Sequence, residues 1–209
     1  MMVSDTFSLT HKVAIVTGSG RENGIGAAIA RALARNGGAL AIHHVSEASA
    51  PRAQAVAQGI MLAEFNLNTF APLYMVQAVV KEGRMPRGGR IINIGTVASK
   101  LGHRGVAGYG ASKAAEDSMT EALAGELGRS HGITVNTVAP GPILTDIVFD
   151  ARKKLGTDPT KPLRSIARGS EEIGQPDDVA RMVLWLATEN SSWITAQYIS
   201  CSAGINGTS

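Results

Sequence analysis

Cysteine is nearly absent from this sequence. Cys201 stands alone, so no intramolecular disulfide can form, and the composition fits a reducing compartment. Cys201 reads as a packed residue rather than a nucleophile. No apolar run approaches the ~18 residues that suggest a membrane span. The N-terminus lacks a charged-then-apolar leader pattern. Basic and acidic residues nearly balance, 20 against 17, and no long basic run occurs, which argues against a nucleic-acid surface. Internal repeats and low-complexity tracts are also missing. A soluble, cytoplasmic protein is the expectation. The 209 residues, 44% of them hydrophobic, suffice for one sizeable core and a single domain over 1–209.

The chemistry concentrates between residues 90 and 113, RIINIGTVASKLGHRGVAGYGASK. The run Ile91, Ile92, Asn93, Ile94 reads as a buried parallel strand. It stops at Gly95 and Thr96, and a Gly-rich loop leads to Tyr109 and a long helical pattern. Tyr109 and Lys113 are four residues apart, so on a helix both project from one face. Thr96 stands at the C-terminal end of the strand, where open α/β sheets place ligands. A phenol with a pKa near ~10 is a poor acid at neutral pH. A neighbouring ammonium favours the phenolate and lowers that pKa. Thr96 adds a hydroxyl donor. Together the three suit proton transfer to or from a carbonyl or alcohol oxygen. Most Tyr-x-x-x-Lys pairs are helix-surface neighbours; the strand end and the spaced threonine raise this one above them.

Residues 12–16 form a β-branched run, read as a central parallel strand. It enters a stretch containing Gly18, Ser19, Gly20, Arg21, Asn23, Gly24 and Ile25. Residues 27–36 then read as a helix with Ile25, Ile29 and Leu33 on one face. Strand, Gly-rich turn and helix start make a phosphate-binding arrangement, because glycines admit a close backbone approach and the helix N-terminus favours negative charge. Residues 39–42 are a second strand, ending in His43, His44, Val45 and Ser46. An acidic residue at that end would bond the adenosine ribose of NAD and repel a 2′-phosphate. None is there, and Ser46 with Arg21 or Arg52 suits the phosphate. NADP(H) is therefore favoured over NAD(H). Adjacent histidines on a strand face opposite ways, so no metal site is expected.

The spacing Thr96-x12-Tyr109-x3-Lys113 resembles the Ser-x12-Tyr-x3-Lys signature of the short-chain dehydrogenase/reductases, especially those of the 3-oxoacyl-carrier-protein reductase and fungal carbonyl reductase type. The resemblance covers almost the whole chain. It implies a Rossmann-like, doubly wound parallel sheet in a three-layer α/β/α arrangement. It implies hydride transfer between a nicotinamide and a ketone or secondary alcohol, with Tyr109 as acid/base and Lys113 tuning it while both hold the cofactor. Asn68 matches the family's fourth catalytic residue, with Asn66 the neighbouring alternative, in a helix reaching residue 81. Pro140 and Gly141 match its Pro-Gly turn, with Ile143 meeting the carboxamide through its backbone and Thr145 helping to hold the carboxamide or a phosphate. Residues 147–173, poorly periodic, match the substrate lid. Asn136 reads as structural. A homodimer or homotetramer follows from the family, through the Asn68 helix and the helix carrying Met119, Leu123 and Leu127.

Two departures stand out. Five residues, rather than three, separate Gly18 from Gly24. Between residues 60 and 64 the chain passes directly into the helix that the family places after its fourth strand. Roughly 50 residues are missing relative to a doubly wound domain of this type, including the Asn-Asn-Ala-Gly turn. That strand lies centrally, so its loss leaves two neighbours without a ladder partner. A second reading follows: a shortened relative that binds no cofactor and serves as a binding or interaction protein, or as a cofactor-free isomerase or cyclase.

Overall fold

Short apolar runs bounded by glycine become parallel strands here, and the longer periodic segments become the helices that cover them. The structure is a computed structural model that describes residues 9, 12–16, 24–36, 39–42, 64–104 and 106–206. Strand β1 (Val13–Val16), helix α1 (Ile25–Arg35) and strand β2 (Ala39–Ile42) form one unit, with the strands parallel from Val13 against Ala39 to Val16 against Ile42. A π-helical turn, Asn66–Phe70, runs into α2 (Ala71–Gln77) and a second π turn, Ala78–Glu82. Then come β3 (Arg90–Ile94), α3 (Ala98–Leu101), α4 (Ala107–His131) and β4 (Thr134–Pro140). The chain closes with α5 (Asp146–Leu155), α6 (Lys161–Arg164), α7 (Pro176–Ala187) and β5 (Tyr198–Cys201).

Strand β4 is buried along its whole length because it pairs in parallel with β3 on one side and β5 on the other. Successive residues point to opposite faces, and two cores follow from that alternation. Val138 packs with Val16, Ile29, Leu33, Val179 and Val183, on the side of α1 and α7. Val135 packs with Val76, Val80, Leu123, Leu127 and Ile133, on the side of α2 and α4. Each fully buried Val or Leu contributes about 1.5–3 kcal/mol of transfer free energy. The result is helix, sheet, helix in three layers, as expected.

The sheet is interrupted. Among the described residues β1 pairs only with β2, and β3 pairs only with β4; β1 and β3 are not joined. The break falls where the sequence lacks a strand. On β3 the ladder toward β4 runs from the Gly89 carbonyl, which accepts from Thr134 N–H at 3.1 Å, to Gly95 N–H, which donates to Val138 at 2.8 Å. In a parallel ladder alternate residues serve one neighbour, so the backbone groups of Ile92 and Ile94 point into the break. Val13 and Ile15 are 76% and 49% exposed, so β1 is not the doubly covered central strand its composition suggests.

Helix boundaries shift in instructive ways. α4 starts before Tyr109 and runs to His131, ended by Gly132 in the left-handed conformation at φ 65°. Residues 147–173 carry two helices, α5 and α6, where the sequence suggested irregular chain. The helical start read near residues 50–60 lies outside the described residues, as do His43, His44 and Arg52. At α7 the expected Pro and acidic start is present, with Asp178 Oδ2 accepting from Gln175 N–H at 2.7 Å. Cys201 is half-buried, and burial pushes its thiol pKa up, as a packed cysteine requires.

Asn136 ties β4 to the segment entering β5. It is 1% exposed; its Nδ2 donates to the Ile194 carbonyl at 2.9 Å and its Oδ1 accepts from Gln197 N–H at 3.1 Å. Asn136→Ala orphans both backbone groups, at an expected cost of about 1–3 kcal/mol for each. Urea unfolding of the variant against the native protein measures it.

Candidate active site

The C-terminal ends of β3 and β4 form the floor of the site. Gly95 follows β3 where a Cβ would meet Thr137 Cγ2 at 2.6 Å and Asp117 Oδ1 at 3.2 Å, so only glycine lets the chain turn there. Thr96 comes next and is anchored through its backbone. Its carbonyl accepts from Ser99 Oγ at 2.8 Å and from the Tyr198 hydroxyl at 3.1 Å, while Ala98 N–H donates to its Oγ1 at 3.2 Å.

Tyr109 sits in the first turn of α4, half-buried, with the Thr96 side chain in hydrogen-bond contact. Burial pushes the phenol pKa above its usual value; the Thr96 hydrogen bond opposes this, and the carboxylates of Glu116 and Glu64 add to the rise. This corrects the expectation that Lys113 lowers it. The reason is geometric. Lys113 Nζ donates to Glu116 Oε2 and to the Ile94 carbonyl, each at 2.8 Å, so its charge is neutralised within its own helix and held against β3.

Asn68 reaches the same place from the opposite helix. It lies in the π turn Asn66–Phe70, a distortion common at functional sites. Its Nδ2 donates to Ser112 Oγ at 3.1 Å, and Thr69 Oγ1 donates to the Ser112 carbonyl at 2.8 Å. Ser112 is fully buried and precedes Lys113, so the two helices meet at the Tyr109–Lys113 turn. The structure thus brings Thr96, Tyr109, Lys113 and Asn68 together.

Beside them, a cavity of about 160 Å³ is lined by Thr96, Pro140, Gly141, Pro142, Thr160 and Leu163, among others. Val97 N–H donates to the Pro140 carbonyl at 3.1 Å, fixing the Thr96 loop to the Pro-Gly turn. Ile143 forms a bridge with Gly174 through its neighbours: Gly174 N–H donates to Pro142 and Leu144 N–H donates to Gly174. The N–H and C=O of Ile143 itself have no partner among the described residues. Thr145 is the N-cap of α5. The cavity's far wall, α6, is held by Asp158, which pairs with Arg152 at 2.8 Å and Arg164 at 2.5 Å. Hydrogen bonds from Thr160 and then the two arginines hold the Asp158 carboxyl below the usual carboxylate range.

Of the phosphate-loop residues, Gly24 and Ile25 are described. Gly24 is the N-cap of α1, which has neither a side-chain cap nor an acid in its first turn. Gly18, Ser19, Gly20, Arg21, Asn23 and Ser46 lie outside the described residues. Sequence reasoning missed Glu116, Asp117, Ser99 and Tyr198. A signal for Glu116 was present: Ser112, Glu116, Thr120, Leu123 and Leu127 share one stripe of α4 at helical spacing, so an acid stands on the buried face.

A family model described as enoyl-(acyl carrier protein) reductase matches residues 60–206. The short chain dehydrogenase penD of Penicillium thymicola is 37% identical over 142 residues, 66% of this chain and 50% of that protein. The 3-oxoacyl-[acyl-carrier-protein] reductase FabG of Vibrio harveyi is 36% identical over 142 residues, 66% of this chain and 55% of that one. The chain spans about half the length of the curated relatives it matches. A blue fluorescent protein from a metagenomic library, solved in complex with NADPH, superposes with TM-score 0.77 at 30% identity over 96% of this chain and 100% of the other. The match over most of its length, together with the parallel three-layer fold, places the chain in the short-chain dehydrogenase/reductase family.

Proposed function

We propose that the chain is an NADP(H)-dependent oxidoreductase that exchanges a hydride between the nicotinamide and a ketone or secondary alcohol. The observation that carries this is the Thr96 hydroxyl beside the Tyr109 phenol at the end of β3, next to a small cavity. Two features suit a dinucleotide. The uncapped, acid-free start of α1 at Gly24 and Ile25 suits a pyrophosphate. The N–H and C=O of Ile143, unpartnered among the described residues, suit a carboxamide. When bound, the nicotinamide supplies or takes the hydride.

The remaining steps belong to the chain. Thr96 donates to the carbonyl oxygen and orients it. Tyr109 gives its phenolic proton to that oxygen as the carbonyl carbon is reduced, and recovers a proton from solvent afterwards. Lys113, once turned from Glu116, holds the cofactor ribose together with Tyr109. Asn68 fixes α2 against Ser112 and so places the Lys113 turn. A strand end without an acid, His43 to Ser46, supports NADP(H) over NAD(H). By resemblance to the family, the chain acts as a homodimer or homotetramer on a small carbonyl or alcohol substrate.

The interrupted sheet favours one other reading, a shortened family member that binds no cofactor and acts as an interaction protein or as an isomerase or cyclase. Calorimetric titration with NADPH and NADH separates the two. Binding of NADPH more tightly than NADH, with transfer of deuterium from deuterated NADPH to a panel of ketones and 3-oxoacyl thioesters, is the expected result. No binding of either nucleotide overturns the oxidoreductase reading.

A further inference from the structure

The cavity beside Thr96 holds one polar side chain, His103, that has no step in the reaction proposed above. At about 160 Å³ the cavity is smaller than the ~300–1,000 Å³ of pockets that take drug-sized ligands. Its wall is largely apolar, with Val97, Leu101, Pro142, Pro159 and Leu163 contributing. Gly102 ends α3 in the left-handed conformation, at φ 59°, and turns the chain back so that His103 lines the same cavity as Thr96. The ring is set by its own neighbour: His103 Nδ1 lies 2.9 Å from the Arg104 carbonyl. A carbonyl only accepts, so Nδ1 carries the hydrogen, and in the neutral ring Nε2 is then an acceptor. Nε2 has no partner among the described residues. We infer that His103 sets substrate choice: its Nε2 accepts from the hydroxyl of a small, neutral hydroxyketone whose carbonyl is held at Thr96 and Tyr109.

The inference rests on the oxidoreductase reading for its kinetic meaning and on the composition of the cavity for the rest. The other two polar side chains on the wall are committed. Thr96 is in contact with Tyr109 and serves the reacting oxygen. Thr160 Oγ1 donates to Asp158 Oδ1 at 2.7 Å and accepts from Arg164 Nε at 3.1 Å. Backbone groups on the wall are engaged as well. The Pro140 carbonyl accepts from Val97 N–H at 3.1 Å, Gly141 N–H donates to the Cys201 carbonyl at 3.0 Å, and the Pro142 carbonyl accepts from Gly174 N–H at 3.1 Å. No charged side chain lines the cavity among the described residues, and Arg152 and Arg164 are paired with Asp158. A carboxylate or phosphate on the substrate would lose water without gaining a partner, a cost that a neutral group avoids. An acceptor on the wall calls for a donor on the substrate, and a hydroxyl is the smallest that fits so little space. A site that bonds a substrate hydroxyl disfavours the analogue lacking it, because its own polar group is then left unpaired.

The test compares ketones that differ by one hydroxyl: hydroxyacetone against acetone, and 4-hydroxy-2-butanone against 2-butanone, each reduced with NADPH by the full chain. At least one hydroxyketone should exceed its parent in kcat/KM by about 3–10-fold, the worth of one hydrogen bond. In His103→Phe, which keeps a ring but offers no acceptor, that ratio should fall to near unity. His103→Gln, whose amide oxygen accepts, should keep part of it. A preference absent from the native chain, or one that survives His103→Phe, overturns the inference. Binding without turnover gives a second readout. The sequence holds five histidines, and His103→Phe identifies the imidazole nitrogen resonances of His103 in isotope-labelled protein. A hydroxyketone should shift them and its parent ketone should not. That shift in a protein that reduces no ketone leaves His103 as a hydroxyl-binding residue and removes the oxidoreductase reading instead; no shift overturns the inference.

Discussion

Tyr109→Phe should lower the rate of ketone reduction by about 10²–10⁴-fold, the usual worth of a positioned general acid. The substitution deletes only the phenolic oxygen. The ring still fills its half-buried place in the first turn of α4, and the Thr96 backbone remains anchored by Ser99 and Tyr198. Nicotinamide affinity should stay within a few-fold, because the substitution removes one hydroxyl contact to the ribose while the contacts proposed for Gly24, Ile25, Lys113 and Ile143 remain. The loss should therefore appear in kcat, with the dissociation constant for NADPH nearly unmoved. The pH dependence carries a second signature. The native phenol titrates above its usual ~10, because burial outweighs the Thr96 hydrogen bond. Reduction that needs the protonated phenol should then persist throughout the neutral and mildly alkaline range. Single-turnover kinetics with saturating NADPH, native against variant, measure the effect; equal rates overturn the role given to Tyr109.

Much of this was legible because a few local rules agree. The runs at 13–16, 39–42 and 91–94 are apolar and too short for helices, and all three are strands. Thr96, Tyr109 and Lys113 were found by spacing, since a strand end and the next helix turn are fixed in relative position by Gly95. What was not legible depends on contacts distant in sequence. The π turn at Asn68 has no local signature; its side chains are committed to Ser112, 44 residues away. Helices α5 and α6 are held partly by Asp158 and two arginines rather than by an apolar stripe, so periodicity could not show them. The direction of the Tyr109 shift was misjudged for a related reason. Spacing places an ammonium near the phenol, but only the fold shows that Glu116 holds it. The interrupted sheet is the converse case: a length argument from residues 60–64 anticipated where the ladder would break.

The largest stability effect should come from Lys113→Met. It strips the partner from a carboxylate that is 2% exposed, and losing one member of a buried pair costs about 3–5 kcal/mol. Replacing both, as in Lys113→Met with Glu116→Met, removes the stranded charge as well, and well-packed apolar substitutes for buried pairs are often neutral or stabilising. The double variant should thus be more stable than Lys113→Met alone, a non-additivity that separates a buried ion pair from two independent packing contacts. Acid should reveal the same charge. Burial raises the Glu116 pKa even with Lys113 present. A carboxyl whose folded pKa lies above its unfolded value binds its proton more readily in the folded state. Its contribution is fully present below the unfolded pKa of ~4.3 and is lost as pH rises through the folded value. Without Lys113 the folded value rises further and the window widens. Lys113→Met should therefore recover stability on moving from neutral pH toward the unfolded carboxyl pKa, and the double variant should recover less. Urea unfolding of the four proteins at two pH values measures both effects. Strict additivity, with no recovery in acid, would show that the pair is not a buried charge pair at all.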